Sequence, residues 1–124
     1  AGDDYIVFNG PDEQFISGRL IGAQGGIGGT YAVMPQLFLQ LDYFLKTNQW
    51  EKAKVLQAEV NEIIAQMCSC HGNMYAVAKE ILRLNENLNI GSVRAPLAEL
   101  IPEDLPKVQA CAEYIKQVTT KFID

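Results

Sequence analysis

Tyr5-Ile-Val-Phe-Asn-Gly-Pro-Asp-Glu13 holds an apolar run that Gly10-Pro11 stops. The run does not alternate with polar residues, so it reads as a parallel strand, Tyr5–Asn9, covered on both faces. Asp12-Glu13 then open a stretch carrying Phe15, Ile16 and Leu20 that closes at Gly22. A short helix is expected there, with acids at its N-terminus as the helix dipole favours. Gln24-Gly-Gly-Ile-Gly-Gly-Thr30 follows, and a second, very short strand is expected around Gly26–Gly28. Strand, helix and strand in this order form one parallel βαβ unit.

Helical periodicity takes over beyond the glycines. Met34, Leu37, Phe38, Leu41 and Leu45 make one apolar stripe, and Thr47-Asn48 break it. Ala53, Leu56, Val60, Ile63, Ile64 and Met67 make the next. His71-Gly72-Asn73 is a turn. Tyr75, Ala78, Ile81 and Leu82 form a third stripe, Asn85 to Pro102 reads as irregular, and Val108, Cys111, Ala112, Ile115, Val118, Thr119 and Phe122 mark a final helix. A two-stranded parallel sheet is not a plausible core by itself. The conflict resolves if the chain is the C-terminal part of a TIM (β/α)8 barrel, an α/β fold, with a helical extension. Residues 1–47 would be the last two βα units and residues 48–124 a C-terminal helical subdomain.

Bulk properties exclude several functions. The 124 residues carry a net charge of −5, so no basic field attracts nucleic acid or an anionic membrane. No apolar run reaches the ~20 residues of a membrane span. Three cysteines are too few for a secreted disulfide framework, which points to the cytoplasm. Cys68, Cys70 and His71 lack the fourth ligand and the spacing of structural zinc, so neither a metal nor another cofactor is expected. His71, the one histidine, reads as a cation at a helix C-terminus.

Two groups remain for chemistry. Asn9 to Glu13 lie at the C-terminal end of a strand, where barrels of this kind carry their active sites. Asp12 and Glu13 either accept hydrogen bonds from ligand hydroxyls or cap the following helix. Gly25 to Thr30 let backbone N–H groups approach a ligand, or merely turn tightly; the spacing matches neither a Rossmann fingerprint nor a P-loop. All seven lysines fall in expected helices or their ends, none at a strand end. No residue of this chain is therefore a candidate Schiff-base nucleophile.

Tyr5 to Glu13, then Gly22-Ala-Gln-Gly-Gly-Ile-Gly-Gly-Thr-Tyr31, resemble strands seven and eight of the N-acetylneuraminate lyase and dihydrodipicolinate synthase superfamily. Val93-Arg-Ala-Pro-Leu97 before the last helix resembles its C-terminal part. The resemblance implies a pyruvate-dependent Schiff-base aldolase, with sialic acid cleaved to N-acetylmannosamine and pyruvate. A dihydrodipicolinate synthase-like or other 2-keto acid aldolase is the alternative, and a non-catalytic helical interaction module a third. Gly10-Pro-Asp-Glu13 looks like the lyase's element, in which the matching Gly10, Asp12 and Glu13 positions contact the sugar's hydroxyl tail. The Gly28 position lies by the carboxylate of pyruvate. The Gly29 position is often serine in bacterial sialic acid lyases, where its hydroxyl also meets the sugar, and glycine here departs from that pattern. The family's lysine and tyrosine lie on strands six and five, which precede anything matched here, so the missing N-terminal barrel half is the expected partner. The resemblance also implies a tetramer, and without that lysine the chain alone is expected to be inactive.

Overall fold

The computed structural model describes residues 4–123. Its elements are β1 (Phe8–Asn9), α1 (Phe15–Leu20), β2 (Gly25–Gly26), α2 (Pro35–Lys46), α3 (Trp50–Cys68), α4 (Met74–Glu86) and α5 (Leu105–Phe122). Short 3-10 turns precede α1, α2 and α5, at Asp12–Gln14, Tyr31–Val33 and Pro102–Asp104. The strands pair in parallel, Phe8 opposite Gly25 and Asn9 opposite Gly26.

Both strands differ from the expectation. β1 is shorter than Tyr5–Asn9, because the chain opposite Tyr5 to Val7 is turning out of α1. Ala23 N–H still bonds the Gly18 carbonyl, and Gly22 sits at φ 107°, a conformation glycine adopts without strain. Gln24 N–H still reaches Val7 O at 2.9 Å, but the Val7 N–H donates to the Gln24 side chain, Oε1, at 2.8 Å instead of to a strand backbone. β2 lies earlier than Gly26–Gly28, because the ladder ends where Ile27 N–H donates to Asn9 O at 3.0 Å. The expected cover on both faces is also absent among the described residues: Tyr5, Ile6, Val7 and Phe8 are exposed, as are Leu20, Ile21 and Ile27.

The helices bury the core. α3, 19 residues long, is the central element and packs on α1, α2, α4 and α5. Leu56, Val60, Ile63 and Met67 on α3 meet Leu37, Phe38 and Leu41 of α2, Val77 and Ile81 of α4, and Val108, Ile115 and Val118 of α5. Each such side chain contributes roughly 1.5–3 kcal/mol by leaving water. Arg19 of α1 ties the small sheet to this bundle: its Nε donates to Asp42 of α2 at 2.7 Å, and its guanidinium also caps the Ala23 carbonyl.

Periodicity misplaced one residue. Tyr75 is 49% exposed, while Ala76, Val77, Ala78 and Ile81 face the core. Asn73 caps α4 by accepting the Tyr75 N–H at 2.9 Å, and this sets the helix phase. α4 also runs past Asn85 and closes at Asn87, in the left-handed region at φ 56°.

Asp104, with no exposed surface, organises the turn before α4. Its carboxylate accepts N–H bonds from His71 at 2.8 Å, Gly72 at 2.9 Å and Ile101 at 3.2 Å. His71 thus lies beyond the end of α3, its ring exposed and 3.3 Å from the same carboxylate. Burial alone would raise the Asp104 pKa, but the three N–H groups and the His71 ring outweigh it and hold the carboxyl well below the usual range. A group with a depressed folded pKa stabilises above its unfolded value, ~3.9, and that contribution fades as pH falls further. The urea midpoint should therefore drop as pH is lowered below about 4. Asp104→Asn should remove much of that acid sensitivity and lower the midpoint at pH 7, both readable by circular dichroism.

Candidate functional site

The C-terminal ends of β1 and β2 are joined by one side chain. Asp12, 7% exposed, accepts through Oδ2 the Thr30 N–H at 2.9 Å and the Thr30 hydroxyl at 2.6 Å. Thr30 is itself buried. Asp12 does not cap the helix through its side chain, as one of the two sequence readings had it; it bridges the two strand ends. Its other oxygen lies where a side chain at position 28 would begin, so a Cβ on Gly28 would overlap Asp12 Oδ1 and crowd Tyr31.

Glu13 follows with its side chain in solvent, and among the described residues its carboxylate makes no hydrogen bond. Gly10 is also exposed, with open space where a Cβ would stand. The structure thus brings Asp12, Gly28 and Gly29 together at one end of the sheet and leaves Glu13 and Gly10 open to solvent beside Asp12.

Gln57 supports this loop from α3. Its Oε1 accepts Ile16 N–H at 3.1 Å, and its Nε2 donates to the Asp12 carbonyl at 3.2 Å and to Asn61 Oδ1 at 2.9 Å. Asn61 in turn donates to the Glu13 carbonyl at 3.3 Å. The sequence reading passed over Gln57, although it occupies a slot one residue past Leu56 on the buried face of α3. A lone amide among apolar neighbours was the available signal.

Tyr31 lies beneath the glycine loop. Its ring stacks on Phe38 at 3.9 Å and meets Phe15 edge-on at 6.2 Å. The hydroxyl points at Gly26, where a Cβ would overlap it, and has no hydrogen-bond partner among the described residues. Burial first, and the charge of Asp12 second, push this phenol up to about 12, so it stays protonated at neutral pH.

Gly29 faces α4. A Cβ there would stand 2.8 Å from Tyr75 Cε1, 3.2 Å from its hydroxyl and 3.1 Å from Met74 Cε. The helical half of the chain therefore returns to the strand ends. Among the described residues no group of three or more possible ligands gathers to hold a metal ion, and no helix is long and apolar enough to cross a membrane.

The glycines should respond unequally to substitution. Gly28→Ala must displace the Asp12 carboxylate and should cost about 1–3 kcal/mol. Gly10→Ala meets nothing and should stay within about 0.5 kcal/mol. Urea unfolding of the two variants checks the difference.

Comparison with known proteins adds to this geometry. The sequence pattern of the Dihydrodipicolinate synthetase family matches residues 1–115. An N-acetylneuraminate lyase of Mediterraneibacter gnavus is 53% identical over 123 residues, 99% of this chain and 39% of that protein. One from Salmonella agona is 32% identical over 94% of this chain and 39% of its own length. The wild-type sialic acid aldolase of Ruminococcus gnavus superposes with a TM-score of 0.97 at 53% identity, covering 99% of this chain and 41% of that one. The N-acetylneuraminate lyase of Fusobacterium nucleatum complexed with pyruvate gives 0.73 at 26% identity, over 98% and 38%. The chain thus spans about two fifths of the length of the relatives it matches.

Proposed function

Because the chain belongs to the dihydrodipicolinate synthetase family, we propose that it supplies the C-terminal part of a pyruvate-dependent Schiff-base aldolase that cleaves N-acetylneuraminate to N-acetylmannosamine and pyruvate. The observation that carries this reading is the 53% identity, across almost the whole chain, to a protein named N-acetylneuraminate lyase. In this reading residues 1–47 are the last two βα units of a (β/α)8 barrel and residues 48–124 its helical extension. The exposed apolar flank of Tyr5, Ile6, Val7, Phe8, Ile21 and Ile27 supports it, since a sheet with two open edges calls for neighbouring strands. The complete assembly would be a cytoplasmic homo-oligomer, a tetramer by resemblance.

In this reading each part of the site has a role. The nucleophile is a lysine outside this chain; its amine condenses with the substrate ketone, releasing water and leaving a protonated imine. Loss of the neighbouring hydroxyl proton then breaks the carbon–carbon bond, releases the aldehyde and places the electron pair on that imine as an enamine. Protonation and hydrolysis return pyruvate and the free amine. Gly28 sets its backbone beside the pyruvate carboxylate, and Gly29 stands next to the sugar portion. Asp12 fixes the loop through Thr30. Glu13 offers a free carboxylate to the hydroxyls of the sugar portion. Glutamate at position 13, where dihydrodipicolinate synthases usually have aspartate, favours the sugar substrate over a dihydrodipicolinate-type condensation.

Two measurements test this. The 124-residue chain incubated with pyruvate and borohydride should keep its mass, and a stoichiometric adduct on any of its seven lysines would contradict the assignment of the nucleophile. In the complete barrel, Glu13→Gln should lower kcat/KM for the sugar about ten- to hundredfold. A charged acceptor bonds hydroxyls roughly twice as strongly as an amide, and ~1.4 kcal/mol is tenfold in rate. Pyruvate trapping by the same variant should be unchanged. Wild-type values for both would remove Glu13 from the substrate site.

A further inference from the structure

We propose that Gln57 of α3, together with Asn61, is a positioning residue for the reaction: its carboxamide holds open the turn that carries Asp12 and Glu13, and so aims Glu13 at the sugar portion of the substrate. The inference rests on the function proposed above. Three observations carry it.

First, the amide stands where a helical hydrogen bond belongs. In a continuous α-helix the Ile16 N–H would bond the Asp12 carbonyl, four residues back. Here the Ile16 N–H goes to Gln57 Oε1 at 3.1 Å, and the Asp12 carbonyl receives Gln57 Nε2 at 3.2 Å. The side chain thus acts as a peptide unit inserted between the two. Beside it Asp12–Gln14 winds as a 3-10 turn, and the backbone leaves helical geometry at Gln14, φ −119° and ψ 24°, before α1 starts.

Second, the amide can point only one way. A backbone N–H must donate and a carbonyl must accept, so Ile16 fixes Oε1 and Asp12 fixes Nε2. Nε2 also donates to Asn61 Oδ1 at 2.9 Å, which turns Asn61 Nδ2 to the Glu13 carbonyl, 3.3 Å away. The pair therefore grips the peptides of both acidic residues. Gln57 is only 6% exposed, so water cannot readily replace these bonds.

Third, the two acids depend on this grip unequally. Asp12 is held a second time, through its carboxylate, by Thr30. The Glu13 carboxylate makes no hydrogen bond among the described residues, so its direction follows from the backbone that Gln57 and Asn61 hold. Without the inserted amide, Ile16 can close directly onto Asp12. The turn then winds from roughly three residues per turn toward about 3.6, and Glu13 swings round the helix axis while Thr30 keeps Asp12 in place.

The test uses the complete barrel. N-acetylneuraminate cleavage, borohydride trapping of pyruvate and the urea midpoint are read on each variant. Gln57→Met and Asn61→Ala should each raise KM for the sugar about three- to tenfold and change kcat less than about twofold, the pattern of a lost contact made equally in ground and transition states. Pyruvate trapping should not change. Asn61 is only partly buried, so Asn61→Ala keeps the question open to measurement if Gln57→Met unfolds the barrel. In a Glu13→Ala background, Asn61→Ala should cost less than about twofold more, because no carboxylate is left to aim. Full additivity of those two substitutions would overturn the inference and leave the proposed function standing. So would wild-type KM in both single variants, or a parallel fall in sugar cleavage and pyruvate trapping, which would mark Gln57 and Asn61 as merely structural. Wild-type kinetics in Glu13→Ala itself would remove Glu13 from the substrate site, and this inference with it. A wild-type barrel that neither traps pyruvate nor cleaves the sugar would instead overturn the proposed function.

Discussion

The bond from Thr30 to the Asp12 carboxylate is what the arrangement of the strand ends depends on. Each strand is two residues long, too short for the ladder alone to fix where its following loop goes. Asp12 closes the gap by accepting two hydrogen bonds, from the backbone and the side chain of one residue across the sheet. Burial makes both bonds matter, since neither partner has water to fall back on. Glycine at position 28 then fits best, because the carboxylate occupies the space of a side chain there.

The helical bundle is more than a platform for this tie. Gln57 reaches out of the α3 core to hold the Asp12 carbonyl and the Ile16 N–H in the first turn of α1. Arg19 and Asp42 clamp the other end of α1 to α2. Asp104, on the turn before α5, fixes the start of α4 and so delivers Met74 and Tyr75 to Gly29. The loop is thus held from α2, α3 and α4, all of which share one apolar core. A displacement of α3 or α4 would be felt at the strand ends without any change in the loop's own sequence.

The apolar flank around β1 has a different physical character. Phe8 packs toward Gly25, yet with Tyr5, Ile6 and Val7 it stays open to solvent. These residues have the composition of a buried parallel strand and half the neighbours such a strand needs. A further strand against each open edge of the sheet would satisfy them.

Local pattern determined much of this protein. Glycine-proline punctuation and an unbroken apolar run announced β1, the glycine cluster announced β2, and i, i+3, i+4 periodicity announced every long helix, because these signals act between residues close in the chain. The cluster of Asp12 with Gly28 and Gly29 was legible for the same reason: a βαβ unit must bring its two strand ends together. Tertiary structure decided the rest. Whether Asp12 capped a helix or bridged to Thr30 depended on which donor, 18 residues away, reached it first. Gln57 and Asp104 looked like ordinary polar residues until long-range partners 45 and 32 residues away supplied their bonds. Tyr75 read as part of the apolar stripe and lies outside it. Periodicity gives the shape of a helix face but not its phase, and the Asn73 cap and the turn held by Asp104 rotated Tyr75 away from the core and onto Gly29.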